Sequence, residues 1–496
     1  LTENLKLKHH SPYFDVLYKG VINHDVYENR DDLISYPVTY VIITNPIFEN
    51  SLSDFIDWKI QKGFNVVVGN TAEIGSSTSS IKAFLQDLYE NPADGLSSPS
   101  FVLFVGDVAQ VPTYNGSTGS HVTDLYYCEY TGDLIPEVYH GRFSAQNISQ
   151  LQSQISKTLE YEKYEMPDPS YLEEVLMVSG VDASNAQTYG NGQINYGTDY
   201  YFNEDHGIYS HTYLYPESAG SGIAAAIIQD YSEGVGFANY TAHCSSDGWA
   251  DPSFTVSDVS GLYNDHEYNL MIGNCCTSTA FDVESFGEAI LRAENSGAVG
   301  YIGGTNSTYW NEDYWWGVGA GNISEFPNYE STGLGVYDGI FHENGEDESQ
   351  WFVVNDAINM AGNLAVVEAG GNDAYYWEIY HNMGDPSLIT YMGIPEINNV
   401  SHLPILQIGT NSFNVSAAPY SFVALSMDGV LYGTAYMGAS SNVEMEISPF
   451  ALAGTATLVV TGQNKQPYVG SVEVGNADGP YVVVDEFILL SSDGDE

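Results

Sequence analysis

Two dipeptides in this chain, Ala242-His243 and Cys275-Cys276, each close a short apolar run: Gly234-Val-Gly-Phe-Ala-Asn-Tyr-Thr before the first, Asn269-Leu-Met-Ile-Gly-Asn before the second. An imidazole and a thiol that leave the ends of two β-type segments can meet although far apart in sequence, because the carboxyl ends of strands in an open parallel sheet line one crevice. A thiolate beside an imidazole is a strong nucleophile, and the pair suits hydrolysis of a peptide bond. Asp182 closes a third run of the same kind, Val175-Leu-Met-Val-Ser-Gly-Val.

The elements that must position these groups follow from hydrophobic periodicity. From about residue 39 to 310, the apolar runs Tyr40–Thr44, Val66–Val68, Phe101–Val105, Val175–Val178, Phe237–Thr241, Leu270–Ile272 and Ala298–Ile302 read as buried parallel strands. Between them, Ser51–Gln61, Ser80–Tyr89 and Ile148–Met166 carry apolar residues at helical spacing. Alternation of this kind implies an α/β fold with doubly wound sheets. Met166-Pro-Asp-Pro169 breaks the pattern, and after Gly384-Asp-Pro-Ser387 short strands with turns take over. The expected organisation is an α/β subdomain over 1–165, a second over 166–392, an all-β sandwich over 393–486 and an acidic, disordered tail over 487–496.

Composition narrows the function classes. The 65 acidic against 12 basic residues give a net charge of −53, which repels nucleic acid and anionic membrane surfaces and attracts cationic substrates. Such an excess suits salty, halophilic surroundings, where self-repulsion is screened. Four cysteines in 496 residues are not a disulfide framework. No apolar run approaches the roughly twenty residues a membrane-spanning helix needs. Leu1 in place of an initiator Met implies that an N-terminal segment has been removed. No zinc spacing of Cys and His is present, and no organic cofactor is expected.

Asn239-Tyr-Thr-Ala-His243, Trp249-Ala-Asp-Pro252, Ile272-Gly-Asn-Cys-Cys276 and Tyr309-Trp-Asn-Glu-Asp-Tyr314 resemble the gingipain family of cysteine peptidases, and among its members the lysine-specific ones. The likeness runs from about Val26-Tyr27 to residue 480. It implies a caspase-like α/β fold with a following immunoglobulin-like domain, and a secreted or cell-surface endopeptidase. Cys276 falls where the family carries its nucleophile, His243 where it carries the base, and Asp182 where a carboxylate orients that base. The oxyanion donors implied are the backbone N–H groups of Cys276 and of Cys244. Cys244 stands where the family has Gly; a thiol there is either inert or able to lock Cys276 in a disulfide.

Asp313 matches the carboxylate at the base of the pocket for the residue preceding the scissile bond, with Thr241, Asn274, Tyr309 and Trp310 around it. A carboxylate between aromatic walls suits an ammonium better than a forked guanidinium. The partners expected are therefore protein or peptide substrates bearing Lys, with no nucleic acid, no membrane insertion and a monomeric chain. The alternatives are Arg or mixed basic specificity, or an impaired homologue acting in binding or adhesion. Asp107 after a strand, with Asp133 and Glu137 in the loop Tyr130–Glu137, offers the hard oxygens calcium takes. The resemblance implies calcium there, with Thr131 replacing one family ligand, and at a second site around Phe281, Val283 and Glu288.

Overall fold

The computed structural model describes residues 11–14, 37–93 and 96–475. The acidic tail 487–496, the last part of the sandwich and the start of the family resemblance at Val26-Tyr27 lie outside them. Runs of β-branched and aromatic residues form the centre: β1 (Val38–Thr44), β2 (Phe64–Asn70), β3 (Pro99–Val105), β4 (Tyr139–Phe143), β5 (Glu174–Ser179), β6 (Tyr209–Tyr213), β7 (Phe237–Thr241), β8 (Asn269–Asn274), β9 (Ala298–Gly304) and β10 (Tyr380–Gly384). They make one ten-stranded sheet in the order β2-β1-β3-β4-β10-β9-β8-β7-β5-β6. All seven runs read as strands from the sequence lie in it. Every residue of β1, β3, β7, β8 and β9 is buried, as strands covered on both faces require. Each fully buried Val, Ile, Leu or Phe among them stabilises the fold by about 1.5–3 kcal/mol.

The sheet is not parallel throughout. β1 to β4 run parallel and β5, β7, β8 and β9 run parallel, but β9 and β10 are antiparallel, while β10 is parallel to β4. The two blocks therefore point in opposite directions, with β10 as the seam between the sequence halves on either side of residue 165. Helices α1 (Ser53–Gln61), α2 (Thr78–Glu90) and α3 (Ile148–Glu162) appear where their periodicity predicts. Ser77 and Ser80 close a capping box at the start of α2, which satisfies backbone donors that have no helical partner. Farther along run α4 (Phe286–Arg292), α5 (Trp310–Val318) and α6 (Asp373–Ile379), the last leading straight into β10.

Between Glu396 and Gly475 a six-stranded and a three-stranded sheet enclose a separate core containing Phe413, Leu425, Met445, Leu458 and Val472. This sandwich packs on the α/β part at Gly63. There φ is +101°, and an added Cβ would lie 2.5 Å from Phe422 and 2.9 Å from Ala424, so only glycine permits both the turn and the close approach.

Candidate active site

β7 and β8 are adjacent and parallel, with Thr241 opposite Asn274. Each chain therefore leaves the sheet at the same level, and His243 and Cys276 each stand two residues beyond it. The next contact corrects the sequence reading of Cys244: its partner is Cys275, not Cys276. The disulfide joins the residue after His243 to the residue before Cys276 with Cα atoms 5.2 Å apart, and leaves Cys276 free. Cys275 is fully buried, as alternation at a strand end predicts. Cys244 needs no left-handed backbone, since it begins a two-residue strand paired with Trp249. A left-handed conformation appears instead at Thr277, directly after Cys276, where φ is +55°; for a β-branched residue this is strained backbone of the kind that clusters at functional sites.

β5 lies on the other side of β7, with Ser179 opposite Thr241. Asp182, three residues farther on, accepts a hydrogen bond of 2.9 Å between its Oδ2 and His243 Nε2. Backbone N–H groups of Ser184 and Asn185 hold the same carboxylate at 2.7 and 3.0 Å. Burial pushes this carboxyl up, but those hydrogen bonds outweigh it and keep it below its ordinary value. With Nε2 turned to Asp182, Nδ1 is the imidazole nitrogen left to take a proton. His243 is half-exposed and stands edge-on to Trp310, ring centroids 5.7 Å apart.

The Cys276 sulfur accepts from the backbone N–H of Thr308 at 3.3 Å. Burial pushes the thiol up, the Thr308 N–H opposes this and the Asp313 charge adds to it; the resting form is therefore a thiol that needs a base. The backbone N–H of Cys276 makes no bond to a backbone carbonyl among the described residues.

Thr308 also reaches Asp313, its hydroxyl donating to Oδ2 at 2.6 Å. Tyr376 and Tyr380 donate to Oδ1 at 2.9 and 2.7 Å. Only 3 % exposed, Asp313 is pushed up to about 7 by burial, against the pull of the three hydroxyls. Of the residues expected around it, Asn274 donates to the Tyr380 hydroxyl at 3.1 Å and Tyr309 donates its N–H to the Tyr376 hydroxyl at 2.8 Å. Tyr309 is 49 % exposed and Trp310 half-buried. Thr241 is buried at the end of β7, its carbonyl accepting from Gly180 N–H. Thr308, Tyr376 and Tyr380 escaped the sequence reading, because only the fold brings the α6–β10 junction to Asp313. Behind them, Glu378 accepts from the backbone of Ser117 and Thr118 and from Tyr126 and His121, which fastens the segment around residues 114–123 to α6. Although burial pushes Glu378 up, these donors hold it down at about 2.

The carboxylates expected to bind calcium divide into two groups. Arg292 donates to Asp107 Oδ2 at 3.2 Å and to Glu288 Oε1 at 2.7 Å, so a guanidinium already stands between them. The other oxygen of Glu288 caps its own helix, accepting from the Ser285 N–H and hydroxyl. Phe281 turns its ring to Arg142 at 5.0 Å, and Val283 is exposed. Asp107 and Glu288 therefore share one guanidinium, and the Phe281 ring lies against a second, so a metal at either place would compete with an arginine. In the loop 129–137, burial pushes Glu137 up and the Glu129 and Asp133 charges add to it, while the Thr131 hydroxyl and the Tyr130 N–H, which donate to its two oxygens at 2.6 Å each, pull it down. Among the described residues no group of three or more His, Cys, Asp or Glu side chains forms a metal cluster.

Residues 34–391 match the family model for peptidase family C25, and the chain belongs to that family. It is 39% identical over 484 residues to Lys-gingipain of Porphyromonas gingivalis, covering 95% of this chain and 27% of that protein. It is 24% identical over 462 residues to Gingipain R1 of the same organism, covering 89% of this chain and 43% of that one. A solved structure described as a protease superposes with a TM-score of 0.83 at 38% identity, over 91% of this chain and all of the other. The Arg-specific cysteine proteinase gingipain R superposes with a TM-score of 0.74 at 22% identity, over 88% and 98%, a likeness of fold. The caspase-like α/β fold with a following β-sandwich expected from the sequence holds. The chain spans about a quarter of the length of the Lys-gingipain it matches.

Proposed function

We propose that this chain is a secreted cysteine endopeptidase that cleaves after Lys. The observation that carries the reading is the equal two-residue offset of His243 and Cys276 from paired strand ends, with Asp313 joined to the same loop through Thr308. Cys276 gives its proton to His243 Nδ1 as Sγ attacks the scissile carbonyl carbon. The N–H groups of Cys276 and Cys244 receive the oxyanion. His243 then protonates the leaving amine, and water hydrolyses the acyl-enzyme by the reverse proton path. Asp182 holds the imidazole and stabilises its charged form. Asp313 receives the substrate ammonium, which restores its charge in a buried site.

The disulfide supports an oxidising, extracellular setting, and among the described residues no helix is long and apolar enough to cross a membrane. The acidic surface suits salty surroundings. Structural calcium remains a proposal for the loop that carries Asp133 and Glu137, where it would supply charge neutralisation and take no part in the chemistry. The test is turnover of a Lys-ended reporter peptide: Cys276→Ala should abolish it, and retained turnover would refute the nucleophile.

A further inference from the structure

The hydrogen bonds around Asp313 have fixed directions. Gln193 Nε2 and Asn239 Nδ2 both donate to Asn274 Oδ1, at 2.7 and 3.0 Å. That orients the Asn274 amide so that its NH2 group donates to the Tyr380 hydroxyl oxygen, and the Tyr380 proton is left for Asp313 Oδ1. The Tyr376 hydroxyl oxygen is likewise held by the Tyr309 N–H. Its proton has two acceptors, the Tyr309 carbonyl at 3.2 Å and Asp313 Oδ1 at 2.9 Å, of which the carboxylate is shorter and charge-assisted. A carboxylate has about four lone-pair sites, two on each oxygen. Oδ1 is therefore full, and Thr308 takes one site of Oδ2.

We infer that Tyr376 and Tyr380 make Asp313 a receptor with a single free acceptor site, on Oδ2, and thereby select an ammonium over a guanidinium. An ammonium needs one acceptor in line with one N–H. A guanidinium reaches full strength only when its fork meets both carboxylate oxygens, and here one oxygen is occupied by donors that fixed backbone and amide groups keep in place. The inference rests on the proposed Lys pocket and names two residues that set its selectivity. Both rings stack, Tyr376 on Tyr380 at 5.3 Å and Tyr380 on Trp316 at 5.1 Å, so replacement by Phe removes the hydroxyl and keeps the packing surface.

The experiment compares kcat/KM for matched Lys and Arg reporters in the wild type, Tyr376→Phe, Tyr380→Phe, the double variant and Asp313→Asn. The double variant should lower the Lys-to-Arg ratio at least about tenfold, with each single variant between. An unchanged ratio in active Phe variants, alongside loss of Lys turnover in Asp313→Asn, overturns the tyrosine inference and leaves the Lys pocket standing. Asp313→Asn with wild-type rates and ratio overturns the pocket itself. Should the Phe variants fail to fold, competitive inhibition of the wild type decides: n-butylammonium should bind at least about tenfold tighter than n-butylguanidinium, and equal or tighter binding of the guanidinium overturns the inference.

Discussion

Cys244 and Cys275 are joined across the ends of two adjacent strands, each next in sequence to a residue of the candidate catalytic pair. The bond closes a segment with a sequence separation of 31, and constraint of the unfolded chain by such a loop is worth about 3–4 kcal/mol. Removing it with Cys244→Ala and Cys275→Ala together should lower unfolding stability by that order, measured by denaturant titration. Because His243 and Cys276 are set by these neighbours, kcat should also fall, by on the order of 10-fold or more, while KM for the Lys reporter changes little. Unaltered kcat would show that the strand register alone positions the pair.

The pH dependence follows from Asp313. Its carboxyl, pushed up to about 7 by burial, pairs with a substrate ammonium only when ionised. As pH falls through that value the charge is lost, so kcat/KM for Lys reporters should decline by about tenfold per pH unit on the acid side. Tyr380→Phe removes a hydrogen bond that lowers this pKa and should move the inflection upward. An inflection that stays in place or moves down would contradict the role given to the hydroxyl.

Arg292 ties the second parallel block to the first, since Asp107 follows β3 and Ser144 follows β4. Arg292→Met should destabilise the fold by about 3–5 kcal/mol, because Asp107 and Glu288 would be left without their cation. Adding Asp107→Asn and Glu288→Gln should recover part of that loss. Equal stability of wild type and Arg292→Met, compared by thermal and denaturant unfolding, would show that another group carries this charge.

How much of this was legible in the sequence depends on how each residue is buried. Strands built from Val, Ile and Leu, such as β1, β3 and β9, announce themselves because an apolar run has no other stable place. β4 and β10 escaped notice because Tyr-His-Gly-Arg-Phe and Tyr-His-Asn-Met-Gly read as polar. They are buried through specific partners, Arg142 by the two oxygens of Asp124 and His381 by the Asp124 backbone N–H. The antiparallel seam went unseen for the same reason. At the site, residues that end apolar runs were visible, and Asp313 was visible through its motif. Tyr376, Tyr380 and the Cys244–Cys275 bond were not, since each depends on a long-range juxtaposition that only the folded sheet supplies.

The most direct test is labelling of the wild-type protein with matched acyloxymethyl ketone probes carrying Lys or Arg, followed by peptide mapping of the modified residue. The account predicts a thioether at Cys276, formed at least about tenfold faster with the Lys probe than with the Arg probe. Modification elsewhere, or equal rates for the two probes, would contradict it.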